Sequence, residues 1–174
     1  MFRPVWIVAL GLVGLVAASC SSTSSPPPPS GSEVIDEPPS GQSSSRDPQE
    51  AVQAVYDGFW RDSWTLQDQP AGQWPAFLRQ VAAEPLVHQL IERTRRDQQA
   101  GARLWGRVTP HVRDVRLDGE HAVVRDCQDT SRAGRLESSG AKTTGVARNP
   151  VTARLDRTPA GWRVAAVAYP GGAC

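Results

Sequence analysis

The chain has 174 residues, a formal net charge of +1, 15 prolines, 15 glycines and three cysteines, with 39% hydrophobic and 6% aromatic residues. Such a length suits one domain with extensions, and the near-neutral charge lacks the basic field of a nucleic-acid binder. Three cysteines are too few for a disulfide-dense miniprotein, and a cationic set in which Lys142 is the single lysine among 19 Lys+Arg points to a high-GC coding genome.

Met1-Phe2-Arg3-Pro4 and the apolar run Val5 to Val16 read as an export signal. The run is shorter than the ~20 residues of a bilayer span and ends in small residues. Ala17-Ala18-Ser19-Cys20 resembles the bacterial lipobox, with Ala17 where leucine is usual. That resemblance implies removal of residues 1–19 and lipidation of Cys20, whose two acyl chains suffice for stable anchoring. The expected location is the extracytoplasmic side of the cell membrane, with the membrane as a partner through Cys20. From Ser21 to Arg46 there are ten serines and six prolines, with Val34 and Ile35 as the aliphatic residues. A segment this poor in apolar side chains cannot offset its ordering entropy. Residues 20–46 are therefore expected to be anchor and disordered tether, reaching roughly 30 Å as a coil and ~80 Å if fully extended.

Residues 47–174 hold the folding pattern. Asp47-Pro48-Gln49-Glu50 supplies a capping acid, a proline at the first helical position and a glutamate three residues after the cap. Val52, Val55, Tyr56, Phe59, Trp60 and Trp64 then recur at helical spacing. A second helix is expected from about Pro75, broken by Glu84-Pro85 and resumed by Leu86, Val87, Leu90 and Ile91, with Gly101 as its stop. Beyond it the apolar period becomes two. Leu104, Val108 and Val112 share one parity and Val115 and Leu117 the other, which predicts a strand bulged near Pro110 or Arg113. Asp118-Gly119 turns the chain into a strand over 122–127. Residues 129–144 read as a polar connection, and Val146 to Leu155 as a strand interrupted near Pro150. Thr158-Pro159-Ala160-Gly161 turns into Trp162 to Tyr169, apolar on both parities and hence expected to be central and covered. Helices followed by an antiparallel meander give an α+β class with the helices on one face.

The capped aromatic helix, the proline-broken pair, Asp126-Cys127-Gln128-Asp129-Thr130-Ser131 and Gly161-Trp162-Arg163-Val164 together resemble the nuclear transport factor 2-like superfamily. Within it, the likeness is to the small exported lipoproteins of high-GC Gram-positive bacteria. It covers about residues 47–170 and implies a curved antiparallel sheet wrapped around N-terminal helices as a cone that can hold a small ligand. Such folds serve isomerases, dehydratases, cyclases, adaptors and accessory domains of cell-wall enzymes, so fold alone names no activity.

Cys127 and Cys174 remain once Cys20 is lipidated. In an oxidising compartment a bridge between them is expected, with two buried inert thiols or a reactive cysteine as the alternatives. His88, His111 and His121 lack the spacing of a metal site, and neither metal nor cofactor is implied. Tyr56, Asp57, Asp114 and Asp126 are the pieces an isomerase-like acid–base site could use, each with an ordinary structural role available. Tyr56, Trp60, Trp64, Trp74 and Trp105 are candidates to line an apolar pocket. Arg93, Arg95, Arg96, Arg103 and Arg107 could form a basic strip, though Glu92 and Asp97 lie beside it. The expected function is a non-enzymatic, lipid-anchored surface domain binding a small apolar ligand or an envelope protein. The alternatives are an isomerase, dehydratase or cyclase working in the cone and an accessory docking domain.

Overall fold

A computed structural model describes residues 47–174, so the expected signal, Cys20 and the tether lie outside the described residues. Helix α1 spans Pro48–Trp64, with the Asp47 carboxylate accepting the Gln49 N–H at 2.9 Å and Pro48 in the first turn. The cap satisfies an N–H that the helix cannot pair internally. One face of α1 buries Val52, Tyr56, Phe59 and Trp60, and it lies across the main sheet.

After a 3-10 turn over Leu66–Asp68 and another over Ala71–Gln73, α2 is a single short stretch, Trp74–Leu78, and α3 runs Leu86–Gln99. The helix expected to continue to Glu84 stops early. Instead Ala83 N–H donates to the Val164 carbonyl and Val164 N–H to the Val81 carbonyl, both at 2.9 Å. Residues 81–83 thus spend their backbone groups on a strand edge. The Glu84–Pro85 peptide that follows is cis.

Six strands follow: β1 (Arg103–Gly106), β2 (Val112–Asp118), β3 (His121–Gln128), β4 (Ala133–Leu136), β5 (Asn149–Thr158) and β6 (Gly161–Ala168). They form an antiparallel sheet of order β2-β3-β5-β6 and a two-stranded ribbon, β1-β4. The long strand expected from Leu104 onward is divided between the two, and its predicted bulge falls at Arg113, where the β2–β3 register shifts. A second bulge places Ala165 between the pairs Arg154–Ala166 and Leu155–Val164. Bulges bend strands and deepen twist, and the sheet curves around the helices.

The β6 expectation needs correcting. Its ladder leaves β6 at the end of the sheet, with residues 81–83 closing the outer edge. Its apolar residues occupy both parities because the Ala165 bulge reverses the phase: Trp162 and Val164 face the core before it, Ala165 and Val167 after it. Strand β4 is the element missed in the connection expected over 129–144. It is bounded by close backbone approaches: a Cβ on Gly106 would stand 1.9 Å from the Arg132 carbonyl oxygen, and one on Gly134 2.0 Å from that of Thr143.

The core runs from α1 and α3 to the inner faces of β3, β5 and β6, with Val124, Val151, Ala153, Leu155 and Val164 fully or almost fully buried. On the outer face Cys127 is bonded to Cys174, with Cα atoms 5.8 Å apart across 47 residues of chain. The alternative of two free thiols is set aside.

Candidate functional site

Helix α1 and the turn after it meet strand β1. Trp64 at the end of α1 donates its indole N–H to the Trp105 carbonyl at 3.2 Å. Gln67 then uses both halves of its amide on Leu104, donating to the carbonyl at 2.8 Å and accepting the N–H at 2.9 Å. These bonds occupy an edge of β1 and fix the ribbon beside the helix.

The space left between the ribbon, α3 and the end of β6 is a cavity of about 210 Å³. Helix α1 contributes Phe59, Trp60 and Trp64 to its wall; α3 contributes Leu86, Leu90 and Arg93; Leu104 and Val167 complete the apolar part, the exposed Tyr169 borders it, and Ser63, Gln67, Gln89, Thr94 and Asp97 form a polar part. The bulge at Ala165 is what turns Val167 inward, while Tyr169, beyond the strand, is 57% exposed. A second chamber of about 280 Å³ shares Trp60, Trp64, Arg93, Leu104 and Tyr169 with the first. It adds a polar wall of Gln128, Thr130, Thr143 and Asn149. Although Tyr169 is exposed overall, local desolvation of its hydroxyl holds it above its ordinary pKa, while the nearby Arg93 charge pulls it back. On the other side of α1 a groove of about 480 Å³ runs past Asp57, Arg61, Arg107 and Pro110.

Of the five aromatics named as candidate lining, Trp60 and Trp64 stand on the cavity wall. The other three need correcting. Tyr56 and Trp74 are sealed in the core at 0% and 1% exposure; the Tyr56 hydroxyl is committed to Asp126 at 2.8 Å and the Trp74 indole to the Gln69 carbonyl at 2.9 Å. Trp105 lies under the Lys142 ammonium, 3.5 Å from its ring centroid, and donates to the Thr143 carbonyl. Each indole or phenol hydroxyl found a partner away from the cavity, which fixes where its ring lies.

Asp126 is buried on the inner face of β3. Its two oxygens accept the Tyr56 hydroxyl at 2.8 Å and the His111 backbone N–H at 2.6 Å. Burial raises its pKa above the ordinary carboxylate value and outweighs these donors, which act the other way. Asp57, facing the second groove, is also raised, first by desolvation and then by the Asp126 charge. Asp114 is paired to Arg116 at 2.7 Å on β2, apart from both. The structure therefore joins Tyr56 to Asp126 and brings Asp57 near, but leaves Asp114 outside the cluster.

The Asp126-Cys127-Gln128-Asp129-Thr130-Ser131 element resolves into separate tasks. Cys127 forms the bridge, Asp129 accepts the Ser131 N–H and hydroxyl at 2.8 and 2.7 Å to shape the turn into β4, and Thr130 exchanges hydrogen bonds with Val146. Gln128 alone has an unassigned group: it is 1% exposed and its amide nitrogen has no acceptor among the described residues. Sequence reading passed over Gln128, although it shares parity with Ala122, Val124 and Asp126. That alternation was the signal available.

The histidines are dispersed: His111 lends its backbone to Asp126, His121 meets Asp156 at 2.9 Å, and the His88 N–H bonds to Glu84. Among the described residues no three of His, Cys, Asp and Glu converge as metal ligands. In the arginine strip, Arg95 pairs with Glu92 at 2.6 Å and Arg93 lies 3.9 Å from Asp97, while Arg96, Arg103 and Arg107 make no ion pair among the described residues.

No protein-family model and no curated protein matches the chain. Solved structures do. The intermembrane-space region of the chloroplast protein ARC6 is similar at TM-score 0.56 and 12% identity, covering 71% of this chain and 97% of that one. A conserved protein from Planctomyces limnophilus gives a TM-score of 0.46 at 11% identity, covering 69% and 95%. A designed protein of the nuclear transport factor 2 type gives 0.40 at 8%, covering 71% and 99%. At such identity the ARC6 likeness speaks for the fold. The fold class is the one expected, α+β with helices packed on a curved antiparallel sheet.

Proposed function

We propose that this chain is a lipid-anchored, extracytoplasmic domain of the nuclear transport factor 2-like superfamily that binds a small apolar ligand without transforming it. The observation carrying the reading is the cavity between α1, α3 and β6, whose walls Trp60, Trp64, Leu86, Leu90, Leu104 and Val167 offer apolar surface to a guest. Removing such surface from water drives binding at roughly 25 cal/mol per Å². Support for binding over catalysis comes from Asp126, the buried carboxylate an acid–base mechanism would use. Its oxygens are taken by Tyr56 and His111, and it is no part of the cavity wall. Support for the anchor is the short signal-like stretch 1–19, followed by Cys20 and a Ser/Pro-rich segment.

Two measurements test this. The neutral dye N-phenyl-1-naphthylamine should brighten with the full chain and lose that response in Val167→Trp, or in Leu90→Trp from the opposite wall, either of which fills the cavity. An unchanged response in both folded variants places the dye elsewhere and defeats the cavity reading. Cys20→Ala should move the protein from the membrane fraction to the soluble one, and a variant that stays membrane-bound defeats the anchor.

A further inference from the structure

Resting on that cavity reading and deepening it, the geometry points to an amphipathic monocarboxylate as the occupant. Its hydrocarbon chain lies among Trp60, Leu90 and Val167, and its carboxylate meets the Gln128 amide and the Arg93 guanidinium.

Two independent observations carry this. The first is Gln128, 1% exposed, a wall of the polar chamber, with an amide nitrogen that finds no acceptor among the described residues. A buried amide donor left unpaired loses its water without compensation, so a leucine of similar bulk would serve folding better at this position. Its inward neighbour Asp126 is fully engaged, and Ala122 and Val124 are apolar. The unused donor is therefore a feature of position 128 and not of the strand.

The second is the charge around Arg93, which borders both chambers. Its nearest carboxylate, Asp97, is 3.9 Å away and is held more closely by Arg135 at 3.2 Å. A guanidinium carries five N–H donors and no acceptor, so Arg93 keeps both donors and charge to spend. A head group that is anionic and accepts hydrogen bonds answers both residues; a cationic head answers neither. Trp60, Trp64, Arg93, Leu104 and Tyr169 border both chambers, so the two adjoin, which puts a tail in the first and a head in the second within reach of one molecule.

The test uses the full chain in phosphatidylcholine nanodiscs, with empty nanodiscs as the blank, titrated with octanoate, 1-octanol and octylamine while tryptophan fluorescence is read. Octanoate should bind at least about tenfold more tightly than 1-octanol, and octylamine more weakly than either, the factor of ten being what one charge-assisted hydrogen bond supplies. Gln128→Leu and Arg93→Gln should each remove most of that preference, and Gln128→Leu, which lies outside the first cavity, should leave N-phenyl-1-naphthylamine binding unchanged. Gln128→Leu should also raise the melting temperature, an outcome that a structural amide would reverse. Octanoate binding no tighter than 1-octanol, or a melting temperature lowered by Gln128→Leu, overturns the carboxylate assignment while dye binding still stands for the cavity. Loss of dye binding in the wild-type chain removes the cavity itself.

Discussion

A carboxylate at position 126 is the most expensive residue in the interior, and its surroundings show how the chain accommodates it. Burial raises its pKa above the ordinary value of 3.8, and the Tyr56 hydroxyl and His111 N–H oppose that rise by donating to the charged form. A raised carboxylate binds its proton more readily folded than unfolded. Its stabilising contribution is thus complete below pH 3.8 and is lost as pH rises through the folded value. Tyr56→Phe deletes a donor to the ionised form and raises that pKa further. Its cost should be about 1–3 kcal/mol near neutrality, where a charged buried group has lost a partner, and smaller at about pH 4. Urea denaturation of both proteins at the two pH values checks this, and an equal cost at each would mean that Asp126 does not change charge between them. Residue type alone does not place Asp126 or Gln128 in the interior. Their place followed instead from parity with Ala122 and Val124, a period-two signal that outranks residue type once one face of the strand is buried.

Elements were legible wherever the local chemistry had one solution. Asp47-Pro48-Gln49-Glu50 could begin only a helix, and the phase change between Val112 and Val115 required a bulge, found at Arg113. Strand β6 carries the same device where the pattern does not distinguish it, since a bulge and a central strand leave similar apolar patterns over eight residues. Strand β4, Ala133–Leu136, was hidden because its four residues contain a glycine and an arginine and show no alternation. What defines it is tertiary, the approach of Thr143 to Gly134 and of Arg132 to Gly106. The Cys127–Cys174 bridge ties β3 to the end of the chain and closes a loop of 47 residues. A loop of that length is worth ~4 kcal/mol in the chain-entropy description, a large part of the ~5–15 kcal/mol that stabilises a typical domain. Replacing both cysteines by serine should lower the unfolding free energy by about that amount, as should dithiothreitol acting on the wild-type chain. A loss below ~1 kcal/mol would show that the strands already hold this end in place without the bond.

Across the whole molecule, charge is balanced at short range. Arg61 sits 2.8 Å from Asp62, Arg79 3.3 Å from Glu84, Arg95 2.6 Å from Glu92 and Arg116 2.7 Å from Asp114, so many surface arginines answer a neighbouring acid. Arg3 is the charged side chain of residues 1–19, and removal of that stretch would leave equal numbers of basic and acidic side chains. A chain so nearly balanced has little long-range attraction to an anionic membrane, so under the proposal attachment rests on the Cys20 lipid and the local charge of Arg93 is left for a ligand. Washing membranes that carry the wild-type chain from about 0.1 M to about 1 M NaCl shortens the screening length from ~10 to ~3 Å and should release none of it. Release with rising salt would instead assign attachment to the arginines, with Arg96, Arg103 and Arg107, which make no ion pair among the described residues, as the first positions to neutralise. Because acyl chains hold through apolar area and not through charge, the same wash separates the two mechanisms within a single sample.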